Sequence, residues 1–247
     1  MISSKPYQYV KGWVEFYKLR FRVTPDVLIP RPESELLVDE VINFCTLYPK
    51  PYTLIDIGTG CGNIAISLAK NLNGIPGGAN IIATDISSKA IRVAKQNAKL
   101  HGVEDKIHFI ESDLLNRLPR SFGPRNDNLI IVTNLPYIPS ARIPYLDSSV
   151  KDFEPIIALD GGPDGFRLYR KLFQQVSQHR MSNPGLKSNA QTGIGKLKLI
   201  VCEIDYTHGE LAVNEALKYF PDAQVEIKTD LAHKQRILII QQADLPK

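Results

Sequence analysis

Short runs of β-branched and other apolar residues alternate with amphipathic segments over most of the chain. The apolar runs predict buried strands at 53–57, 80–85, 107–111, 129–133 and 197–203. Between them, apolar positions three and four residues apart predict helices at 62–71, 87–101, 165–178 and 209–219. Because strands that alternate with helices pair in parallel, this pattern predicts an α/β fold with a mostly parallel sheet covered on both faces.

The two ends of the chain depart from this alternation. Over 16–23, apolar and charged residues partly alternate, which predicts a hairpin, and helical spacing of apolar residues follows over 34–45. Near the other end, apolar runs at 223–228 and 236–241 are separated by seven residues. That is too short for a helical crossover, so these two runs predict an antiparallel hairpin and bring the sheet to seven strands.

Composition fits one large domain with a short appendage. The chain has 247 residues, 43% of them apolar and 23% charged, which is typical of a folded globular protein. We therefore expect an N-terminal hairpin and helix in residues 1–51 and the main α/β domain in residues 52–247. The 30 basic and 26 acidic residues are interspersed, so the net charge of +4 gives little support for nucleic-acid binding.

The sequence also indicates the cellular compartment of the protein. The N-terminus lacks the apolar core of a secretory signal, and the apolar runs are too short to cross a bilayer, so we expect a cytoplasmic protein without a membrane contact. Cys45, Cys61 and Cys202 are widely separated, which indicates neither a disulfide framework nor a metal site. Two stretches lack a regular pattern: we expect 136–165 to be an irregular loop beside a site and 181–195 to be an exposed insertion.

A glycine-rich segment, 56–62 (DIGTGCG), follows the first strand of the main domain. Its glycines let the backbone turn sharply and approach a ligand closely. The spacing differs from that of dinucleotide-binding loops, and Asp56 would repel a pyrophosphate but attract an ammonium or sulfonium group. S-adenosylmethionine (SAM) carries both cations. Cys61 is expected to be a packing residue, since no partner base is evident.

Two more aspartates follow the next two strands. Asp85 is placed to accept hydrogen bonds from a ribose diol, and Asp113 can accept from an adenine amino group while Leu114 packs on the ring. Each aspartate taken alone is equally well explained as a helix cap or a turn residue. Acidic residues at three successive strand ends favour a nucleoside cofactor, because ligands bind at the carboxyl ends of such sheets.

The tetrapeptide Asn134-Leu135-Pro136-Tyr137 follows the fourth strand. A planar NH2 group is a poor nucleophile, so its methylation requires acceptors for its two N–H groups. The side-chain oxygen of Asn134 and the main-chain carbonyl of Leu135 can supply them, while Tyr137 packs against the flat group. On the tetrapeptide alone, a strand-terminating turn capped by Asn134 explains the residues equally well.

Several segments together resemble the HemK/PrmC-type N5-glutamine methyltransferases that modify peptide chain release factors. Segment 27–35 (VLIPRPESE) is similar to the family's Ile-Pro-Arg-Pro-Glu-Thr-Glu, 54–69 to its cofactor loop and helix, and 134–137 to its Asn-Pro-Pro-Tyr. Further similarities lie in 153–165, 203–210 and 229–236. The resemblance covers nearly the whole chain.

The resemblance implies a Rossmann-like class I methyltransferase, SAM as its cofactor, and the glutamine of a release factor's Gly-Gly-Gln motif as its acceptor. The implied cofactor-binding residues are Asp56, Gly58, Thr59, Gly60, Cys61, Gly62, Asp85, Ile86, Asp113, Leu114 and Asn134. The implied catalytic and substrate-binding residues are Asn134, Leu135, Pro136 and Tyr137. Arg31 and Glu33 are either substrate contacts or an ion pair that braces the site. We expect a monomer with a protein substrate and no direct nucleic-acid partner.

The chain departs from the family pattern in three places. Leu135 stands where the family has a proline, which keeps the carbonyl but restores an N–H. We expect the larger helical domain that usually precedes the hairpin in this family to be absent, and the 181–195 insertion has no recognised counterpart. Two other functions stay open at this point: an adenine-N6 methyltransferase acting on nucleic acid, and a non-catalytic SAM-binding module.

Overall fold

The computed structural model describes residues 5–74, 79–118, 128–181 and 196–242, except for the side chains of residues 179–181. The strands are β1 (Trp13–Phe16), β2 (Leu19–Arg22), β3 (Tyr52–Ile57), β4 (Ala79–Asp85), β5 (Ile107–Glu111), β6 (Asn128–Thr133), β7 (Ile138–Pro139), β8 (Asp160–Gly162), β9 (Lys196–Glu203), β10 (Ala223–Thr229) and β11 (Gln235–Gln242). The helices are α1 (Tyr7–Lys11), α2 (Glu35–Leu47), α3 (Asn63–Asn71), α4 (Ser88–Leu100), α5 (Ser148–Lys151), α6 (Arg167–Met181) and α7 (Gly209–Tyr219). Short 3-10 turns lie at Pro32–Ser34, Glu104–Lys106, Ser140–Tyr145 and Ile156–Ala158.

Seven strands form the main sheet, in the order β10-β11-β9-β6-β3-β4-β5. The five strands β9, β6, β3, β4 and β5 run parallel, whereas β11 is antiparallel to both β9 and β10. The predicted α/β class, the mostly parallel sheet and the C-terminal antiparallel hairpin are therefore confirmed.

Each face of the sheet is covered by its own set of helices. Every residue of β3 is buried. Two consecutive residues of this strand, Leu54 and Ile55, belong to two different apolar clusters. The cluster of Leu54 includes residues of α2, α3 and α4, while the cluster of Ile55 includes residues of α6 and α7. This division follows from the alternation of side chains along a strand, and it explains why the central strands are continuously apolar.

The N-terminal hairpin β1–β2 packs on the same core. Phe16 and Phe21 are buried in the cluster that contains Leu54. The side chain of Asn97, on α4, accepts a hydrogen bond from the N–H of Arg22 at 2.8 Å and donates one to its carbonyl at 3.0 Å. The backbone of β2 is thereby tied to α4. The short helix α1, which the sequence analysis did not predict, precedes the hairpin.

The segment expected to be an irregular loop, 136–165, contains short regular elements instead. β7 and β8 pair in parallel, and α5 and two 3-10 turns lie between them. These elements span two to six residues each, which is too short to leave a periodic pattern in the sequence. Of the predicted insertion, Met181 is the last residue of α6 and 182–195 lies outside the described residues. Among the helices of the described ranges, none is long and apolar enough to cross a membrane.

Candidate active site

A cavity of about 610 Å³ opens at the carboxyl ends of the central parallel strands. Its size is within the range of small-molecule sites, and its position is where ligands bind in parallel α/β sheets. The predicted residues that line it are Gly58, Gly60, Asp85, Ile86, Asp113, Leu114, Asn134, Leu135 and Pro136. The predicted residues outside its lining are Arg31, Glu33, Asp56, Thr59, Cys61, Gly62 and Tyr137.

Strand register brings the lining residues together. Ile57 of β3 is paired with Thr84 of β4 on one side and with Thr133 of β6 on the other. The next residue of each strand therefore meets its neighbours at the same edge, which places Gly58 between Asp85 and Asn134. This part of the cavity wall consequently follows from the parallel pairing of three strands, since Asp85 ends β4 while Gly58 and Asn134 directly follow β3 and β6.

The glycine loop folds over the end of β4. The N–H groups of Gly58 and Thr59 both donate to the carbonyl of Thr84, each at 2.8 Å. Gly60 has a φ of +54°, and a Cβ placed on it would meet no atom within 4 Å. A left-handed backbone and an open side toward the cavity are both consistent with close approach of a ligand to this loop.

Asp85 is held at the cavity wall by two backbone donors. Its Oδ2 accepts from the Gly60 N–H and its Oδ1 from the Ser87 N–H, both at 2.9 Å. Burial raises the pKa of this carboxyl, and the backbone hydrogen bonds oppose that rise. A carboxylate has about four lone-pair sites, so Asp85 keeps acceptor capacity for a pair of hydroxyl groups.

Asp56 lies beneath the loop and not in the cavity wall. It is fully buried, and its Oδ2 accepts from the Thr59 hydroxyl at 2.7 Å and from the Ala65 N–H at 3.2 Å. Its Oδ1 has no hydrogen-bond partner in the described part of the chain, and burial raises the pKa of Asp56 to about 7. The expected direct attraction of a cation to Asp56 is therefore corrected: this carboxyl braces the loop from below, because the loop closes over it.

Two other predicted cofactor residues have partners of their own. Asp113 lines the cavity, and its Oδ2 lies 2.5 Å from the Nζ of Lys171, a lining residue on α6 that the sequence analysis missed. Cys61 is buried outside the cavity, with its Sγ 3.6 Å from Oδ1 of Asn63. Burial raises the pKa of Cys61 to about 12, so its thiol stays protonated and suits a packing role.

Directly after β6, Asn134 joins a buried polar cluster. Its Nδ2 lies 3.0 Å from Oγ of Ser34 and 3.1 Å from Oε2 of Glu203. The other carboxylate oxygen of Glu203 accepts from the Tyr137 hydroxyl at 3.0 Å. Burial raises the pKa of Glu203, and hydrogen bonds from Ser34 and Tyr137 oppose the rise.

Ser34 and Glu203 were not among the predicted site residues. Glu203 is the last residue of β9, and the register pairs Thr133 with Cys202 immediately before it. An acidic residue at the end of a buried strand was the signal that identified Asp85, and it was available here too. Ser34 carries no comparable signal, because its hydroxyl reaches the cluster only through the folded chain.

Leu135 presents its main-chain carbonyl next to this cluster. The carbonyl accepts from the hydroxyl of Tyr169 at 3.1 Å, and the same hydroxyl also contacts the main-chain oxygen of Glu203. Tyr169 is fully buried on α6. Because a carbonyl oxygen has two lone pairs, that of Leu135 can still accept a hydrogen bond from a ligand.

Arg31 forms an ion pair, but its partner is Glu154 and not Glu33. The carboxylate of Glu154 is almost wholly buried and also accepts from the Ile29 N–H at 3.2 Å. This contact holds the segment that includes Val27 and Leu28 against the cavity. Glu33 is exposed. Within the described ranges, no group of three or more His, Cys, Asp or Glu residues is arranged to hold a metal ion.

The sheet order, the glycine loop and the strand-end carboxylates define a Rossmann-like methyltransferase. A methyltransferase domain model matches residues 50–156. Among solved structures, the catalytic domain of hMettl16 in complex with MAT2A 3'UTR hairpin 6 aligns with a TM-score of 0.65 at 16% identity, over 94% of this chain and 78% of that one. The N-terminal domain of human METTL16 in complex with SAH aligns with a TM-score of 0.54 at 17% identity, over 92% and 77%. At these identities the likeness shows the fold.

Similarity in sequence goes further. The release factor glutamine methyltransferase of Lactococcus lactis is 34% identical over 238 residues, covering 96% of this chain and 78% of the relative. That of Bacillus cereus is 34% identical over 242 residues, covering 96% and 76%. That of Moorella thermoacetica is 45% identical over 171 residues, covering 69% and 56%. The chain therefore belongs to the release factor glutamine methyltransferase family.

SAM is the cofactor of this class, and the residues that line the cavity fit it. The open side of Gly60 accommodates a ligand close to the backbone. The carboxylate of Asp85, fixed in place by Gly60 and Ser87, has acceptor capacity for a ribose. Asp56, which is buried beneath the loop, supports this geometry without lining the cavity.

Proposed function

We propose that this protein transfers a methyl group from SAM to the side-chain amide nitrogen of the glutamine in the Gly-Gly-Gln motif of a peptide chain release factor. The observation that carries the proposal is the placement of Asn134 in the cavity wall beside the glycine loop. The names of the relatives from L. lactis, B. cereus and M. thermoacetica support it.

Gly58, Gly60 and Asp85 would hold the cofactor, with Asp113 and Leu114 on its nucleoside side. When bound, SAM supplies an electrophilic methyl group on a sulfonium. Asp85 would bind and orient the ribose of SAM through hydrogen bonds. Gly58 and Gly60 would leave space for the cofactor close to the backbone. Asp56 acts through the loop that it braces.

Asn134 and Leu135 would hold the acceptor. A primary amide nitrogen is weakly nucleophilic because its lone pair is delocalised into the carbonyl. Two acceptors, Oδ1 of Asn134 and the main-chain oxygen of Leu135, would engage the two N–H groups of the glutamine and fix its nitrogen toward the cavity. Tyr137, tied to Glu203, would pack against the flat group. The proton that the acceptor nitrogen loses can pass to solvent.

Labelled SAM tests the proposal when the protein is incubated with a release factor, with DNA and with RNA in parallel. We expect label in the release factor alone, and mass spectrometry should place one methyl group on the glutamine of Gly-Gly-Gln. A release factor in which that glutamine is replaced by alanine is the matched control and should stay unlabelled. Label in nucleic acid alone would favour the adenine-N6 reaction, and SAM binding without transfer would favour a non-catalytic module.

A further inference from the structure

We propose that Glu203 and Ser34 are positioning residues that set the orientation of the Asn134 carboxamide, so that its oxygen and not its NH2 group faces the glutamine that accepts the methyl group. This inference rests on the proposed function, because it explains how the site comes to present an acceptor atom to an amide nitrogen. Nothing in the family model or in the names of the relatives assigns either residue a role.

The polarity of the cluster leaves one orientation. The Nδ2 of Asn134 has two hydrogens, and two oxygens lie within hydrogen-bond distance of it: Oγ of Ser34 at 3.0 Å and Oε2 of Glu203 at 3.1 Å. An ionised carboxylate can only accept. If the carboxamide were reversed, its Oδ1 would face Oε2 of Glu203, and two acceptors would be in contact without a hydrogen between them.

The hydroxyl of Ser34 completes the arrangement because it can accept and donate at once. It accepts from Asn134 and donates to Glu203. Ser34 is buried and ends the 3-10 turn before α2. The segment that precedes the main sheet therefore contributes a side chain to the acceptor site.

Glu203 also ties the tetrapeptide at two other points. Its Oε1 accepts from the Tyr137 hydroxyl at 3.0 Å, and its main-chain oxygen shares the Tyr169 hydroxyl with the carbonyl of Leu135. Glu203 is 1% exposed, so these hydrogen bonds form in a medium that strengthens them and penalises any loss of a partner. A single buried residue thus fixes both the side chain of Asn134 and the packing group of Tyr137.

A reciprocal exchange of donor and acceptor tests this arrangement. Asn134→Asp alone places a carboxylate against Glu203, and we expect kcat to fall by about 100-fold or more. Glu203→Gln alone replaces one of the two accepting oxygens with an NH2 group, so the side chain no longer accepts on both the Asn134 side and the Tyr137 side, and we expect a loss of about 10-fold. In the double variant Asn134→Asp/Glu203→Gln, the glutamine NH2 can donate to one aspartate oxygen while the other still faces the acceptor. We expect kcat to recover by at least about 10-fold relative to Asn134→Asp.

Matched variants separate positioning from general stability. Glu40→Gln removes the same charge in the ion pair with Lys228, away from the site, and should not rescue Asn134→Asp. Ser34→Thr keeps the hydroxyl and should keep kcat, whereas Ser34→Ala should lower it. The affinity for SAM should stay within about twofold in the variants of Ser34, Glu203 and Glu40, because none of these three residues lines the cavity.

Side-chain NMR gives a readout that does not depend on turnover. In the wild-type protein the two Nδ2 hydrogens of Asn134 should exchange slowly with solvent, and Ser34→Ala should make that exchange faster. The inference is overturned if the double variant is no more active than Asn134→Asp while it binds SAM normally, or if the Asn134 hydrogens exchange freely in the wild-type protein. If the wild-type protein methylates no release factor, the proposed function fails, and the exchange measurement still decides the positioning role.

Discussion

The two halves of the cavity are built by different means. On the cofactor side, the contacts are mostly between backbone groups and nearby carboxylates: Asp56 reaches Thr59 and Ala65, three and nine residues away, and Asp85 reaches Gly60, 25 residues away. On the acceptor side, Ser34 and Glu203 meet Asn134 across 100 and 69 residues through side chains alone. A loop motif can therefore define a cofactor site locally, whereas the acceptor site exists only in the folded chain.

The largest effect should come from removing the acceptor oxygen. Asn134→Ala takes away one of the two groups that would hold the glutamine nitrogen, and we expect turnover of the release factor to fall by about 100- to 1,000-fold. Asn128→Ala, at the opposite end of the same strand, is the matched control and should keep wild-type turnover. Steady-state kinetics with saturating SAM measures both. Loss of one ordinary hydrogen bond lowers a rate by about tenfold. An Asn134→Ala variant that keeps more than a tenth of the wild-type turnover would therefore contradict the proposed role of the Asn134 oxygen.

The backbone of the glycine loop can be tested through stability. Gly62 has a φ of +86°, and a Cβ there would lie 2.9 Å from Cδ1 of Ile66 and 3.2 Å from Cβ of Ala94. Gly60→Ala carries only the cost of a left-handed φ, roughly 1–2 kcal/mol, since its Cβ meets no atom. Gly62→Ala should lose roughly 1–3 kcal/mol more from crowding. Urea unfolding without SAM compares them, and equal losses would show that the loop is not packed as described.

Asp85 links the loop to the cofactor. Asp85→Ala removes the predicted ribose acceptor and leaves the Gly60 and Ser87 N–H groups without their partner, so we expect SAM affinity to fall by about 10- to 100-fold. The exposed Asp105, on a 3-10 turn away from the cavity, provides the control Asp105→Ala. Calorimetric titration measures both variants. An unchanged affinity in Asp85→Ala would place the cofactor elsewhere.

Asp56 should give an effect that is visible only as a pH dependence of stability. Burial raises its pKa from the ordinary value of 3.8 to about 7, so the folded protein binds this proton more tightly than the unfolded chain does. The contribution of Asp56 to the free energy of unfolding therefore grows as pH falls from about 8 to about 5. Because asparagine does not titrate, the stability of the wild-type protein relative to Asp56→Asn should be higher at about pH 5 than at about pH 8. A difference that is constant with pH in SAM-free protein would contradict the buried, braced position.

Much of the architecture was predictable because it repeats a pattern. The five parallel strands, the C-terminal hairpin and the positions of Gly58, Asp85 and Asn134 follow from apolar periodicity and from the rule that parallel strands end at one edge. Short elements such as β7 and β8 left no periodic pattern in the sequence. Leu135, Pro136 and Asn134 line the cavity as expected, and their catalytic roles stay predictions.

The rest depended on long-range contacts. Burial of Asp56 was not predictable from its motif, since whether the loop closes over the carboxylate or exposes it depends on the register of β3 and β4. Lys171 meets Asp113 across 58 residues, and Arg31 meets Glu154 across 123. Such pairs have no spacing to recognise, because the fold alone determines which side chains become neighbours.

The separation of the cofactor site from the site that holds the methyl-accepting glutamine is tested most directly by titrating SAM into Asn134→Ala. If the acceptor side contributes little to holding the cofactor, the dissociation constant should stay within about twofold of the wild-type value. A loss of affinity as large as that of Asp85→Ala would show that Asn134 belongs to the cofactor site, and the separate acceptor site described above would not stand.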